Sequence, residues 1–204
     1  MARGDAVVWK DEELLSGIAP KLILKLAVPH FGDEGFDGAR LERRIEEHCA
    51  ALGVSQIDCM QWMWRADLKD DQRRCNEFRE LATTRIASVA ATIKSNGRVV
   101  CFACFPYTQA FADVALDCPW MEALVIYRNP LEREYDHLLD KALGAGKQVI
   151  ALRPFAAGRT FESGLTVKDA LSHCFAHPIV RSALISFTSP AHLAEIESGL
   201  AGSS

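Results

Sequence analysis

With 204 residues and a formal net charge of −4, the chain is long enough for one domain with a real core, and its charge leaves no footprint for nucleic acid or an anionic membrane. Hydrophobic residues make up 49% and charged residues 25%, an ordinary globular balance. The longest apolar run, Ile86 to Ile93, is interrupted by Ser88 and Thr92 and is too short to cross a bilayer, so it reads as a buried helix face.

Met1 to Asp5 is not followed by the apolar stretch of a signal peptide, and the expected location is cytoplasmic. The seven cysteines are odd in number and lie mostly in apolar segments, which in a reducing compartment makes them small buried hydrophobes. Cys101 and Cys104 form a C-x-x-C inside one predicted strand, with no second pair at zinc-ribbon spacing, so no metal is expected.

Six short apolar runs follow one another, each with a helical pattern after it. They are Lys21 to Ala27, Gln56 to Trp62, Arg98 to Cys104, Glu122 to Tyr127, Gln148 to Arg153 and Arg181 to Ser186. Near-continuous apolar character suits strands buried on both faces of a parallel sheet. Between them, Gly38 to Leu52 carries Leu41, Ile45, Cys49 and Leu52 at helical spacing and ends at Gly53. The spacing predicts one long helix over Asp71 to Ser95, closed by Asn96 and Gly97. Further helices are predicted over Glu134 to Leu143, Thr166 to Phe175 and Pro190 to Leu200, with Thr166 and Asp169 as an N-terminal cap. Strict alternation implies right-handed crossovers and a parallel sheet, which leaves an open doubly wound sheet and a barrel both possible. No G-x-G-x-x-G opens a helix after a strand, which weakens the open dinucleotide-binding sheet.

Several stretches taken together resemble the aldo/keto reductase family. Leu41 to Asp58 is similar to the run before that family's fourth barrel strand, and Asn129-Pro-Leu-Glu-Arg133 to the segment after its sixth. Gly146-Lys-Gln-Val-Ile-Ala-Leu-Arg-Pro-Phe-Ala-Ala-Gly158 is the closest match, and Pro178 to Ile185 with Ser189 to Glu195 resembles the eighth strand and its helix. Asp11 to Gly17 looks like the helix start after the family's catalytic tyrosine. Order and spacing over nearly the whole chain make the likeness specific.

The resemblance implies an incomplete (β/α)₈ barrel of about six sequential parallel strands with outer helices, in a single domain over residues 1–204 whose first 20 residues are an extension or the remnant of the second unit. It implies NADPH-linked carbonyl reduction, in which a tyrosine donates the proton, a lysine and an aspartate tune it, and a histidine orients the substrate. Lys25 matches the lysine, while Met63 stands at the histidine position. The aspartate and tyrosine would fall before residue 1. Phe105 and Pro106 stand where the family holds the nicotinamide amide, Arg128 where its stacking aromatic sits, and Phe187 where a glycine lets backbone approach the phosphate. Pro154, Phe155, Gly158, Thr188, Ser189 and Glu195 are what the resemblance leaves as cofactor contacts.

NADP is therefore the implied cofactor, with weak or absent binding, and the chain reads as a pseudoenzyme serving as a binding or scaffold module. The alternatives are an active reductase whose first two units come from another chain or an upstream segment, and a fragment with no function of its own. The sheet edges at Lys21–Ala27 and Arg181–Ser186 are expected to be exposed and to favour self-association or pairing with another chain, with Ala6 to Trp9 as a plug for part of the gap. Outside the matched positions, His30 and Asp33 form a candidate pair in a strand-end loop, weighed against a solvated loop. His173, His177 and His192 read as surface residues, and Trp62, Trp64 and Trp120 as core or as the rim of a substrate mouth.

Overall fold

A computed structural model describes residues 4–9, 22–66 and 68–201. It contains seven strands, β1 (Gly4–Trp9), β2 (Ile23–Ala27), β3 (Ile57–Met63), β4 (Val99–Cys104), β5 (Ala123–Tyr127), β6 (Gln148–Leu152) and β7 (Val180–Phe187). The helices are α1 (Gly38–Leu52), α2 (Asp71–Ala82), α3 (Arg85–Ser95), α4 (Gln109–Leu116), α5 (Leu138–Gly144), α6 (Arg159–Glu162), α7 (Val167–Phe175) and α8 (Pro190–Ala201). Strands β2 to β7 run in sequence order, an α/β fold of six parallel strands as expected, and β1 lies beyond β7. The expected stretch from Asp11 to Gly17 lies outside the described residues. Contacts divide the chain into two compact units, 18–124 and 125–204 with 1–17.

In the 18–124 unit, β2 pairs with β3, β3 with β4, and β4 with the start of β5, all parallel. The expected helix from Asp71 to Ser95 is two helices, because the chain breaks at Thr83 and Thr84. Thr84 turns its hydroxyl back onto the carbonyls of Glu80 and Leu81, ending α2 by the local competition that Ser and Thr side chains offer a helix. Helix α4, which the sequence reading did not single out, is capped by Thr108, whose hydroxyl accepts from the Phe111 amide.

The helix-covered side of this sheet is an aromatic core. Trp62, Trp64, Phe78, Phe102 and Phe111 are almost fully buried, with ring centroids 4.8 Å apart for Phe78 and Phe111 and 5.2 Å for Trp64 and Phe78. The indole of Trp62 donates to the Val28 carbonyl at 2.6 Å, and that of Trp120 to the Ala82 carbonyl at 2.8 Å. Trp62 and Trp64 are thus core residues, and Trp120 is half-buried against them.

In the 125–204 unit, β6 pairs parallel with β7, and β1 pairs antiparallel with β7 from Gly4↔Phe187 to Trp9↔Ser182. The expectation of an open edge at Arg181–Ser186 is corrected: β1 takes up its backbone hydrogen-bonding groups. Helix α7 begins with the capping box read from the sequence, Thr166 and Asp169 each bonding the other's backbone amide. Helix α5 starts later than predicted, at Leu138, because residues 133–137 form turns.

An uncovered strand edge recruits other chains. Deleting residues 1–9 is expected to produce concentration-dependent association in light scattering, whereas the full chain resists it.

Candidate functional site

The loop after β6 is the most strained backbone in the 125–204 unit. Arg153, Ala156 and Ala157 adopt positive φ of 57°, 48° and 59°, and Gly158 follows at 96°. Non-glycine residues in the left-handed region persist only where surrounding contacts over-determine them. Those contacts come from the Asn129-Pro-Leu-Glu-Arg133 segment. Asn129 is fully buried, and its amide donates to the Arg153 carbonyl at 2.9 Å and to Glu132 at 2.7 Å. Its oxygen accepts from the amides of Leu131 and Glu132. Glu132 in turn is ion-paired with Arg159 and lies 3.6 Å from Arg153. Arg159 donates back to the Ala156 carbonyl at 3.1 Å.

The loop so held lines a cavity of about 770 Å³ together with the end of β7 and the first turns of α8. Its walls include Pro154, Phe155, Gly158, Thr188 and Glu195, five of the six positions the sequence left as cofactor contacts. The sixth, Ser189, does not line it; its hydroxyl accepts from the His192 amide at 3.3 Å, in the manner of an N-cap ahead of Pro190. Phe187 also does not line the cavity. Arg153 and His192 line it and were not predicted. Thr188 and His192 face each other at 3.3 Å. The signal for His192 was its spacing, four residues after Thr188 at a helix start.

Arg128, which the resemblance matches to the stacking aromatic, is nearly buried and fully committed. Its guanidinium donates to the carbonyls of Cys174 at 2.9 Å and His173 at 3.0 Å, and pairs with Asp136 at 2.6 Å. It thereby caps the C-terminus of α7, where unmet carbonyls and the helix dipole favour a cation. The Cys174 thiol donates to the Arg128 carbonyl, and burial pushes its pKa up to about 12. His173 is half-buried and not a surface residue, with its Nε2 unpartnered among the described residues. Burial first, and then the Arg128 charge, hold its pKa below 6.5.

In the 18–124 unit the positions matched to the catalytic lysine and histidine share one sheet face. Lys25 pairs in register with Gln61, and Ala27 with Met63, so Lys25 and Met63 lie on the same side one pleat apart. Lys25 is exposed, and Gln61 is buried with its amide nitrogen unpartnered among the described residues. Met63 accepts a weak hydrogen bond from the Tyr107 hydroxyl at 3.4 Å. Phe105, at one of the nicotinamide-amide positions, is buried, and the Pro106 carbonyl is taken by Arg74 at 2.9 Å. The imidazole of His30 does not meet Asp33. Asp33 instead accepts from the His30 backbone amide at 2.7 Å and pairs with Arg40 at 2.6 Å, which holds its carboxyl below the usual range. No group of three or more metal-ligating side chains occurs among the described residues.

No family model and no curated protein matches the sequence. Solved structures do. An aldo-keto reductase from Bacillus halodurans in its holo form superposes with a TM-score of 0.67 at 15% identity, over 87% of this chain and 66% of its own. One from Klebsiella pneumoniae in complex with NADP and acetate gives 0.64 at 18% identity, over 88% and 64%. An aldo-keto reductase from Klebsiella pneumoniae in complex with NADPH gives 0.65, again at 18%, over 88% and 64%.

Two outcomes test the 125–204 site. Asn129→Ala leaves the Arg153 carbonyl and two loop amides unmet, so the mutant is expected to lose about 1–3 kcal/mol in denaturant unfolding. For His173, the unfolded state takes up a proton near pH 6.5 while the folded state resists it. Stability is therefore expected to fall as pH drops below 6.5, and melting curves of His173→Gln should show a shallower fall. The chain spans about two thirds of the length of the solved structures it matches, and over that span its fold is that of the aldo-keto reductases.

Proposed function

We propose that this chain is an aldo/keto-reductase-lineage protein that takes the adenosine-phosphate end of an NADP-type nucleotide in the 125–204 cavity and does not carry out hydride transfer. The observation that carries this reading is the division between kept and lost positions. The cavity walls hold Pro154, Phe155, Gly158, Thr188 and Glu195, while Arg128 is spent on the end of α7. The donor set fits a phosphate. Thr188 offers a hydroxyl, and Arg153 and His192 line the wall. Glu195 offers an acceptor suited to a ribose or adenine donor.

The nicotinamide end does not fit. Phe105 and Pro106 bring no side-chain hydrogen bond, and Arg128 cannot stack while it caps a helix. Carbonyl reduction develops negative charge on oxygen that a proton donor must meet. Lys25 remains on the sheet face beside Met63, but methionine neither gives nor takes a proton. The binding reading therefore accounts for more of the residues than the reductase reading does. Relatives with this fold are held with NADP and NADPH, which supports the nucleotide class.

The test compares NADPH with an adenosine bisphosphate by calorimetry on the full chain. Both are expected to bind weakly and with similar affinity, because the nicotinamide half adds no contact. Thr188→Val should weaken both, and no aldehyde should be reduced above a trace rate, with Met63→His failing to restore turnover. NADPH binding in the low micromolar range, about −8 kcal/mol, and far tighter than the half-molecule would overturn the proposal.

A further inference from the structure

The C-terminal ends of β3 and β4 in the 18–124 unit carry a cluster that the nucleotide reading does not use. Arg65, two residues past the end of β3, donates from Nε to the Tyr107 hydroxyl at 2.6 Å and faces His30 Nε2 from one terminal nitrogen at 3.3 Å. Its guanidinium also lies over the Phe31 ring at 5.2 Å and the Tyr107 ring at 5.8 Å. A guanidinium has five N–H donors, and only two directions of this one are met. Arg40, Arg74, Arg128, Arg153 and Arg159 all reach a carboxylate. Half-buried Arg65 pairs with none among the described residues.

Two further features point outward from this cation. Tyr107 holds a positive φ of 66°, a left-handed conformation that brings its hydroxyl to Arg65. Phe31 is 56% exposed, the largest exposure among the exposed large hydrophobic residues, and stands edge-on to His30 at 5.0 Å. We propose that Arg65, Tyr107 and His30 form a subsite for an organic carboxylate carried on an apolar or aromatic body, with the carboxylate on the open edge of Arg65 and the body against Phe31. A planar guanidinium fork matches a planar carboxylate in two parallel hydrogen bonds, and an aromatic flank strengthens the cation's hold by excluding water. The single unmet cation matches a monoanion better than a doubly charged phosphate. Tyr107 and His30 orient Arg65 by fixing its Nε and one terminal nitrogen, and are positioning residues.

The subsite is independent of the nucleotide cavity, and its test uses the full chain. Benzoate is titrated by proton–nitrogen NMR, with benzamide as the neutral isostere and inorganic phosphate as competitor. Benzoate is expected to saturate in the millimolar range with shifts at Arg65 Nε–H and the Tyr107 amide, benzamide to give none, and phosphate to compete poorly. Arg65→Gln should weaken benzoate about tenfold or more, Arg65→Lys should not restore it, and Tyr107→Phe should weaken it less while leaving the fold's amide spectrum intact. Equal binding of benzoate and benzamide, benzoate binding untouched by Arg65→Gln, phosphate displacing benzoate at equal concentration, or no saturation would each overturn the proposal. Tyr107→Phe keeps the cation, so a folding failure of an Arg65 variant leaves the question answerable.

Discussion

A guanidinium taken out of water must have its N–H groups met and its charge balanced, and in the 18–124 unit Arg74 satisfies both demands. It is fully buried, pairs with Asp71 at 2.6 Å, and donates to the carbonyls of Trp64 and Pro106 and to the Thr108 hydroxyl. Its plane lies over Phe111 at 4.1 Å. One residue on α2 thus fixes the loops leaving β3 and β4 at once. Arg65 follows Trp64 directly, and Tyr107 follows Pro106, so the two carbonyls held by Arg74 belong to the residues that precede the exposed cluster. Removing one partner from such a buried pair leaves an uncompensated charge and is strongly destabilising.

The 125–204 unit solves a similar problem with Arg128. There the guanidinium and Asp136 close the end of α7, and Asn129, the next residue, turns away to hold the Arg153 carbonyl. The strained loop that walls the cavity is therefore anchored by the residue adjacent to the one that caps the helix.

Much of this was legible from residue order. Apolar runs followed by helical patterns gave all six parallel strands, because a strand buried on both faces leaves no room for polar alternation. Thr166 with Asp169 gave a cap because its chemistry is local. Five of the positions matched by resemblance line one cavity because they sit in a contiguous stretch and a helix start. What residue order showed less of was set by distant pairing. Ala6 to Trp9 was legible as a plug for part of the gap, but its antiparallel register against β7, far away in sequence, was not. The break at Thr83 and Thr84 depends on side-chain bonds back to α2 that compete with a good helical pattern. Arg65 and Tyr107 are 42 residues apart, and neither carries a motif.

Met63, which the resemblance matches to the family's histidine, makes a contact of its own. Met63 lies under the Tyr107 hydroxyl, and that hydroxyl accepts from Arg65 while donating to a weakly basic sulfur. A histidine at residue 63 would offer a nitrogen acceptor that competes for the same phenolic proton. Methionine avoids that competition and leaves the hydroxyl accepting from Arg65. Arg65, half-buried among the Phe31 and Tyr107 rings, is suited to meeting an anion that arrives from outside.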